Sequence, residues 1–148
     1  MRSARMALIF FLAIISLFAG CQTNDGNQGA FGSAQEPVYA AIPQQDAKRM
    51  KEELEQMKEV DAVTAVQIDN EVYITLTVTG FDRLFLKKIR KGAHERAKKL
   101  NQDAVVHVST DKKIDRDLSR LEDSVKDRTI TKEELKKKLD KADKDMKG

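Results

Sequence analysis

A chain of 148 residues, 41% hydrophobic and 34% charged, has room for one small folded unit and little else. With no Trp and few other aromatic residues, its core must be built from Val, Ile, Leu and Met. The formal charge is +3, but Arg2 and Arg5 precede every acidic residue, so the remainder is nearly neutral and global charge selects no class of partner. The single Cys excludes an internal disulfide.

Residues 1 to 20 have the layout of an export signal. Arg2 and Arg5 form a positive start, an apolar run from Met6 to Ala19 is broken only by Ser16, and Ala19 and Gly20 supply small residues before Cys21. The run is shorter than the roughly 20 apolar residues that a membrane-spanning helix needs. The stretch Leu17-Phe18-Ala19-Gly20-Cys21 resembles the bacterial lipoprotein signal, with Phe18 where Leu is commoner. That resemblance implies cleavage before Cys21 and a diacylglyceryl group on its thiol, with or without a further N-acyl chain. A thiolate is the strong nucleophile that such a transfer requires. Two acyl chains anchor a protein stably where one does not. The expected location is the extracytoplasmic face of the cell membrane, with no cofactor beyond this lipid.

Residues 21 to 44 read as a tether that starts at Cys21. Gly26, Gly29 and Gly32 alternate with Gln, Asn and Ser, and both prolines, Pro37 and Pro43, fall here. Such a segment buries too little to fold alone and spans on the order of 25 Å. Val38, Tyr39 and Ile42 read as isolated surface residues, with a short docking strand as the alternative.

The folded part is expected over residues 45 to 110, with a helical extension over 111 to 148. Ala47, Met50, Leu54 and Met57 recur at helical spacing. Strands are expected at 60 to 68 and 72 to 79, joined by a tight turn at Asp69-Asn70. In the second strand Val72, Ile74, Leu76 and Val78 form a buried face, while Tyr73, Thr75, Thr77 and Thr79 form a wetter one. Gly80 ends that strand. A long helix follows over 81 to 100, its core stripe running through Phe81, Phe85, Ile89, Ala93, Ala97 and Leu100. Gly92 interrupts it at a cost of about 1 kcal/mol relative to Ala and suggests close packing on the sheet. A third strand at 104 to 109 should run parallel to the second, because a helix crossover connects them, while the strand it pairs with stays open.

The extension carries two apolar stripes, Ile114, Leu118, Leu121, Val125 and Leu135, Leu139, Ala142, Met146. Thr131 and Glu134 have the spacing of a capping box, with Ile130 and Leu135 placed as a hydrophobic staple, so a new helix should start there. The alternative is a continuous arm or coiled coil, with Arg128 and Lys132 at the two missing core positions. The fold class is α+β, a three-stranded mixed sheet packed against two helices, with a helical C-terminal extension.

The order helix, strand, strand, helix, strand behind a lipoprotein signal resembles the YhcN/YlaJ sporulation lipoprotein family. The segment Val105-Val106-His107-Val108-Ser109-Thr110-Asp111 is similar to that family's V-x-V-S-T-D strand end, and the lysine-rich helix and the strand at 72 to 74 agree. The resemblance covers roughly residues 45 to 115. It implies a role in sporulation or germination. The element order is also similar to that of the BON domain, a module associated with envelope and phospholipid surfaces, although such analogy does not establish function.

Catalytic chemistry is thin. His94 sits beside Arg90 and Lys98 as a solvated helix residue, and His107 alternates with Val106 and Val108 as a structural residue on the opposite side of a strand. Neither has metal-ligand spacing with another donor. The marked charge asymmetry is the helix at 81 to 100, where Lys87, Lys88, Arg90, Lys91, Lys98 and Lys99 are candidates for contact with anionic headgroups or an acidic protein partner. No aromatic stacking platform accompanies them, so nucleic acid is not expected. The expected function is that of a non-enzymatic, membrane-anchored envelope lipoprotein acting as a tethered binding or structural module. The alternative is an accessory subunit of a cell-wall (cortex) lytic system.

Overall fold

The computed structural model describes residues 39 to 147, and in it a three-stranded sheet is sandwiched between two pairs of helices. The expected export signal, Cys21 and the expected tether up to residue 38 lie outside the described residues. The elements are α1 (Gln45–Leu54), β1 (Ala62–Ile68), β2 (Glu71–Thr77), a 3-10 turn (Gly80–Phe85), α2 (Leu86–Leu100), β3 (Val105–Ser109), α3 (Lys112–Lys126) and α4 (Lys132–Lys147). The sheet order is β1-β2-β3, with β1 and β2 antiparallel and β2 and β3 parallel. This is the expected mixed sheet with β3 running parallel to β2; that β3 pairs with β2 is decided by the structure.

Strand alternation divides the core into two layers, because successive side chains point to opposite faces. Val63 and Ala65 of β1, Val72, Ile74 and Leu76 of β2, and Val106 of β3 share one cluster with Ala47, Met50 and Leu54 of α1 and Ile89, Ala93 and Ala97 of α2. Val66, Ile68 and Tyr73 point the other way, where they meet Leu118 and Leu121 of α3, Ile130, and Leu135 and Leu139 of α4. All buried side chains of both clusters lie between residues 47 and 142, so the unit closes on its own residues. The C-terminal extension thus covers the second face of the sheet, and the boundary at 110 does not separate two bodies. The expected wetter face of the second strand is wet only at its end: Tyr73 is 2% and Thr75 0% exposed, whereas Thr77 is half-buried and Thr79 exposed. Ile42, expected at the surface, packs against the second cluster, whereas Tyr39 is exposed.

Local chemistry explains the joints. The hairpin is closed by Asp69 and Asn70 between the paired Ile68 and Glu71, with Asp69 in the left-handed region at φ 49°. Asn70 ties this turn to the start of β3, its Nδ2 donating to the Asp103 carbonyl at 2.7 Å and its carbonyl accepting from the Val105 amide at 2.8 Å. On the outer edge of β1, Gln44 imitates a neighbouring strand. Its Nε2 donates to the Gln67 carbonyl and its Oε1 accepts from the Gln67 amide, both at 2.7 Å, which covers part of an edge otherwise open to association. Gln67 Oε1 in turn accepts from the Asp46 amide at 3.0 Å, at the start of α1.

Asp111 caps α3, accepting from the Lys113 and Ile114 amides at 2.7 and 3.0 Å. These two bonds hold its carboxyl below the usual carboxylate range. The continuous-arm alternative fails at Arg128, whose φ of 54° breaks the helix. The Thr129 amide donates to the Ser124 carbonyl and the Arg128 amide to the Val125 carbonyl, the Schellman pattern of a helix end. The new helix then begins with the expected capping box: Thr131 Oγ1 accepts from the Glu134 amide and Glu134 Oε2 from the Thr131 amide, each at 3.2 Å. The staple residues Ile130 and Leu135 are both buried.

Gly92 does not mediate close packing on the sheet. A Cβ built there would meet only Met57 Cε, at 4.0 Å. Gly80 does need its glycine conformation, since φ is 61° where the chain leaves β2 for the 3-10 turn.

Candidate functional site

The segment from Gly80 to Lys91 carries the most unusual surface of the molecule. The expected core stripe included Phe81 and Phe85, but Phe81 is 88% and Phe85 57% exposed, and Leu84 between them is 80% exposed. The reason is a break in the winding. Residues Gly80–Phe85 form a 3-10 turn, and Phe85, at φ −115° and ψ 19°, leaves the helical region before α2 begins, so the turn does not continue the core face of α2. Within α2, Ile89, Ala93 and Ala97 hold the core positions as expected, and Leu86 and Leu100 pack partly against that cluster.

The basic residues of α2 separate into two groups. Lys87, Lys88, Lys91 and Lys99 are exposed. Arg90 is half-buried and donates from Nη1 to Thr110 Oγ1 at 3.2 Å, joining α2 to the end of β3. Lys98 is half-buried as well, its Nζ donating to the Ala104 carbonyl at 2.8 Å and to the Gln102 carbonyl, so it closes the C-terminal end of α2. Arg90 and Lys98 are therefore engaged in structure, while Lys87, Lys88 and Lys91 keep their charges outward next to Phe81, Leu84 and Phe85. Phe85, Lys88 and Lys91 line one cavity of about 480 Å³. On the other flank Arg83 shares a cavity of about 400 Å³ with Lys112 and Arg116 at the start of α3.

Compared with models of protein families, with characterised proteins and with solved structures, the chain matches none of them.

The second polar constellation lies under α4. The Tyr73 ring stacks on His107, and the Tyr73 hydroxyl donates to Glu71 Oε2 at 2.9 Å. His107 Nδ1 lies 3.0 Å from Asp143 Oδ1 without hydrogen-bond alignment. Asp143 Oδ1 and His107 Nε2 are thus buried with no hydrogen-bond partner among the described residues. Burial first, and then the Glu71 carboxylate, raise the Tyr73 phenol well above its ordinary range. The phenol is nearly inaccessible and His107 lies largely covered between β3 and Asp143 of α4, so the arrangement packs α4 onto the sheet. His107 faces the second side of the sheet, as its alternation implied, and His94 is exposed on α2.

Beside this lies a third polar group: Asp115 Oδ1 accepts from Thr75 Oγ1 at 2.6 Å and from Thr64 Oγ1 at 3.2 Å, pinning α3 to β1 and β2. A groove of about 560 Å³ between α1 and α3 has Ile42, Ala47, Ala65 and Val125 in its lining, and Lys51 Nζ meets Glu122 Oε1 there at 2.7 Å. Among the described residues no group of three His, Cys, Asp or Glu side chains is arranged to hold a metal ion, and no helix is long and apolar enough to cross a membrane.

Proposed function

We propose that the chain is a lipid-anchored protein of the bacterial envelope whose sandwich unit serves as a non-enzymatic binding or structural module in spore formation or germination. The observation that carries this reading is Leu17-Phe18-Ala19-Gly20-Cys21 at the end of a short apolar run preceded by Arg2 and Arg5. The similarity to the YhcN/YlaJ family over residues 45 to 115 supports the sporulation part. The unit closes both faces of its sheet with its own helices, which leaves its surface, and above all the outward lysines of α2, as the part available to a partner.

Cys21 has one role in this reading, as the attachment atom, and the residues after it set the distance between bilayer and unit. Expression in an endospore-forming bacterium followed by mass spectrometry of the mature N-terminus tests it. Diacylglyceryl-modified Cys21 as the first residue is expected, and Cys21→Ala should release or mislocalise the protein with the unit still folded. A Cys21→Ala protein that stays on the membrane after a salt wash with its signal uncut means a signal anchor instead. Transcription confined to sporulation is the expected timing, and constitutive transcription counts against the sporulation role.

A further inference from the structure

We infer that Phe81, Leu84 and Phe85 form a wedge that inserts into the headgroup region of an anionic phospholipid bilayer, with Arg83, Lys87, Lys88 and Lys91 as its electrostatic collar. The inference rests on the membrane location argued above and adds the face by which the unit meets the bilayer. Three large apolar side chains, adjacent in one short turn, are exposed at 88%, 80% and 57%. Soluble units rarely leave such a cluster uncovered without a partner.

Two observations select the bilayer as that partner. The first is charge. Between Phe81 and Lys91 the chain has five cations, Arg83, Lys87, Lys88, Arg90 and Lys91, against one anion, Asp82. Among the described residues Lys91 alone of the four collar cations makes a salt bridge, a loose one of 3.9 Å to Glu95. Juxtamembrane cations of this kind attract anionic lipids and add to the burial of apolar side chains. The second is placement. The turn carrying the three apolar side chains leads directly into α2, and Phe85 lines one cavity with Lys88 and Lys91, so exposed apolar and basic side chains adjoin as an anionic lipid interface requires. Arg83 also lines one cavity with Lys112, Lys113 and Arg116, four cations against the two carboxylates of Asp111 and Asp115.

The absence of Trp makes the test direct. A chain beginning at Gln22, which lacks the lipid but keeps the whole folded unit, is mixed with vesicles of phosphatidylcholine alone or of phosphatidylcholine with phosphatidylglycerol. Sedimentation with the phosphatidylglycerol vesicles is expected, weakening as salt rises. Both Phe81→Ser/Leu84→Ser/Phe85→Ser and Lys87→Glu/Lys88→Glu/Lys91→Glu should weaken it at least about ten-fold with an unchanged melting temperature. A Phe81→Trp variant should shift its emission to the blue on the same vesicles and be quenched by brominated acyl chains. Failure of the parent protein to sediment overturns the inference, as does full binding by the serine variant or bound Phe81→Trp with unshifted emission. Self-association abolished by the serine variant, without vesicle binding, also overturns it, in favour of a second copy on the wedge. Because no lipidated protein is used, vesicle binding without modified Cys21 defeats only the lipoprotein reading, and modified Cys21 without vesicle binding defeats only the wedge.

Discussion

Tyr73 and His107 lie face to face across the β2-β3 pair, ring centroids 4.4 Å apart and planes 8° from parallel, and their position beneath α4 makes a tyrosine the central buried residue of the second layer. A buried phenol resists ionisation, since its charged form loses water and faces the carboxylates of Glu71, Asp143 and Asp140. Its folded-state pKa lies above the unfolded value of 10.0, so its contribution is complete below pH 10.0 and is lost as pH rises beyond it. Tyr73→Phe should cost about 1 kcal/mol at neutral pH through the lost bond to Glu71. The same variant should lose less stability than the parent at alkaline pH. Urea midpoints on either side of the ordinary tyrosine range check both statements.

Thr75 is fully buried and its hydroxyl donates to Asp115 Oδ1 at 2.6 Å. Thr75→Val keeps the shape and removes one of the hydroxyls that this carboxylate accepts from. Hydrogen bonds to charged groups contribute about 1.5–3 kcal/mol, and because Asp115 is only half-buried and keeps Thr64, a loss near the lower end is expected in a denaturant titration.

Leu139 of α4 is 0% exposed in the second cluster. Leu139→Ala should destabilise the unit by about 2–5 kcal/mol, as large-to-small changes in packed cores do. Deleting residues 127 to 148 should go further and abolish cooperative melting, because it uncovers Val66, Ile68 and Tyr73. If α4 were an interaction arm instead, the melting temperature would hardly move.

Gly92 has no positive φ and open space where a Cβ would project, so it weakens α2 without a packing return. Gly92→Ala should raise stability by up to about 1 kcal/mol, readable as an increased melting temperature.

Much of this architecture was legible because local rules and tertiary packing agree. The alternation of Val72, Ile74 and Leu76, the two-residue turn at Asp69-Asn70, the parallel crossover and the Thr131-Glu134 capping box each follow from spacing along the chain, and each is observed. The candidate site was legible only in part. Lys87, Lys88 and Lys91 stand outward as their helix position implied, but Arg90 reaches Thr110 twenty residues on, and Lys98 folds back on the Gln102 and Ala104 carbonyls, which depends on how the chain turns after α2. Phe81 and Phe85 fit an α-helical core stripe by count, but the chain forms a separate 3-10 turn after Gly80 and breaks at Phe85, which leaves them outside the stripe of α2.

By itself the sequence determined the order of helices and strands and the charge asymmetry of α2, because each depends on residues close together along the chain. Tertiary structure alone decided that α3 and α4 cover the second face of the sheet, that Tyr73 and Thr75 are dry, and that Phe81, Leu84 and Phe85 face outward. Periodicity tells which side chains share a face of an element. What covers that face depends on residues up to seventy positions away, such as Tyr73 and Asp143, meeting across the sheet.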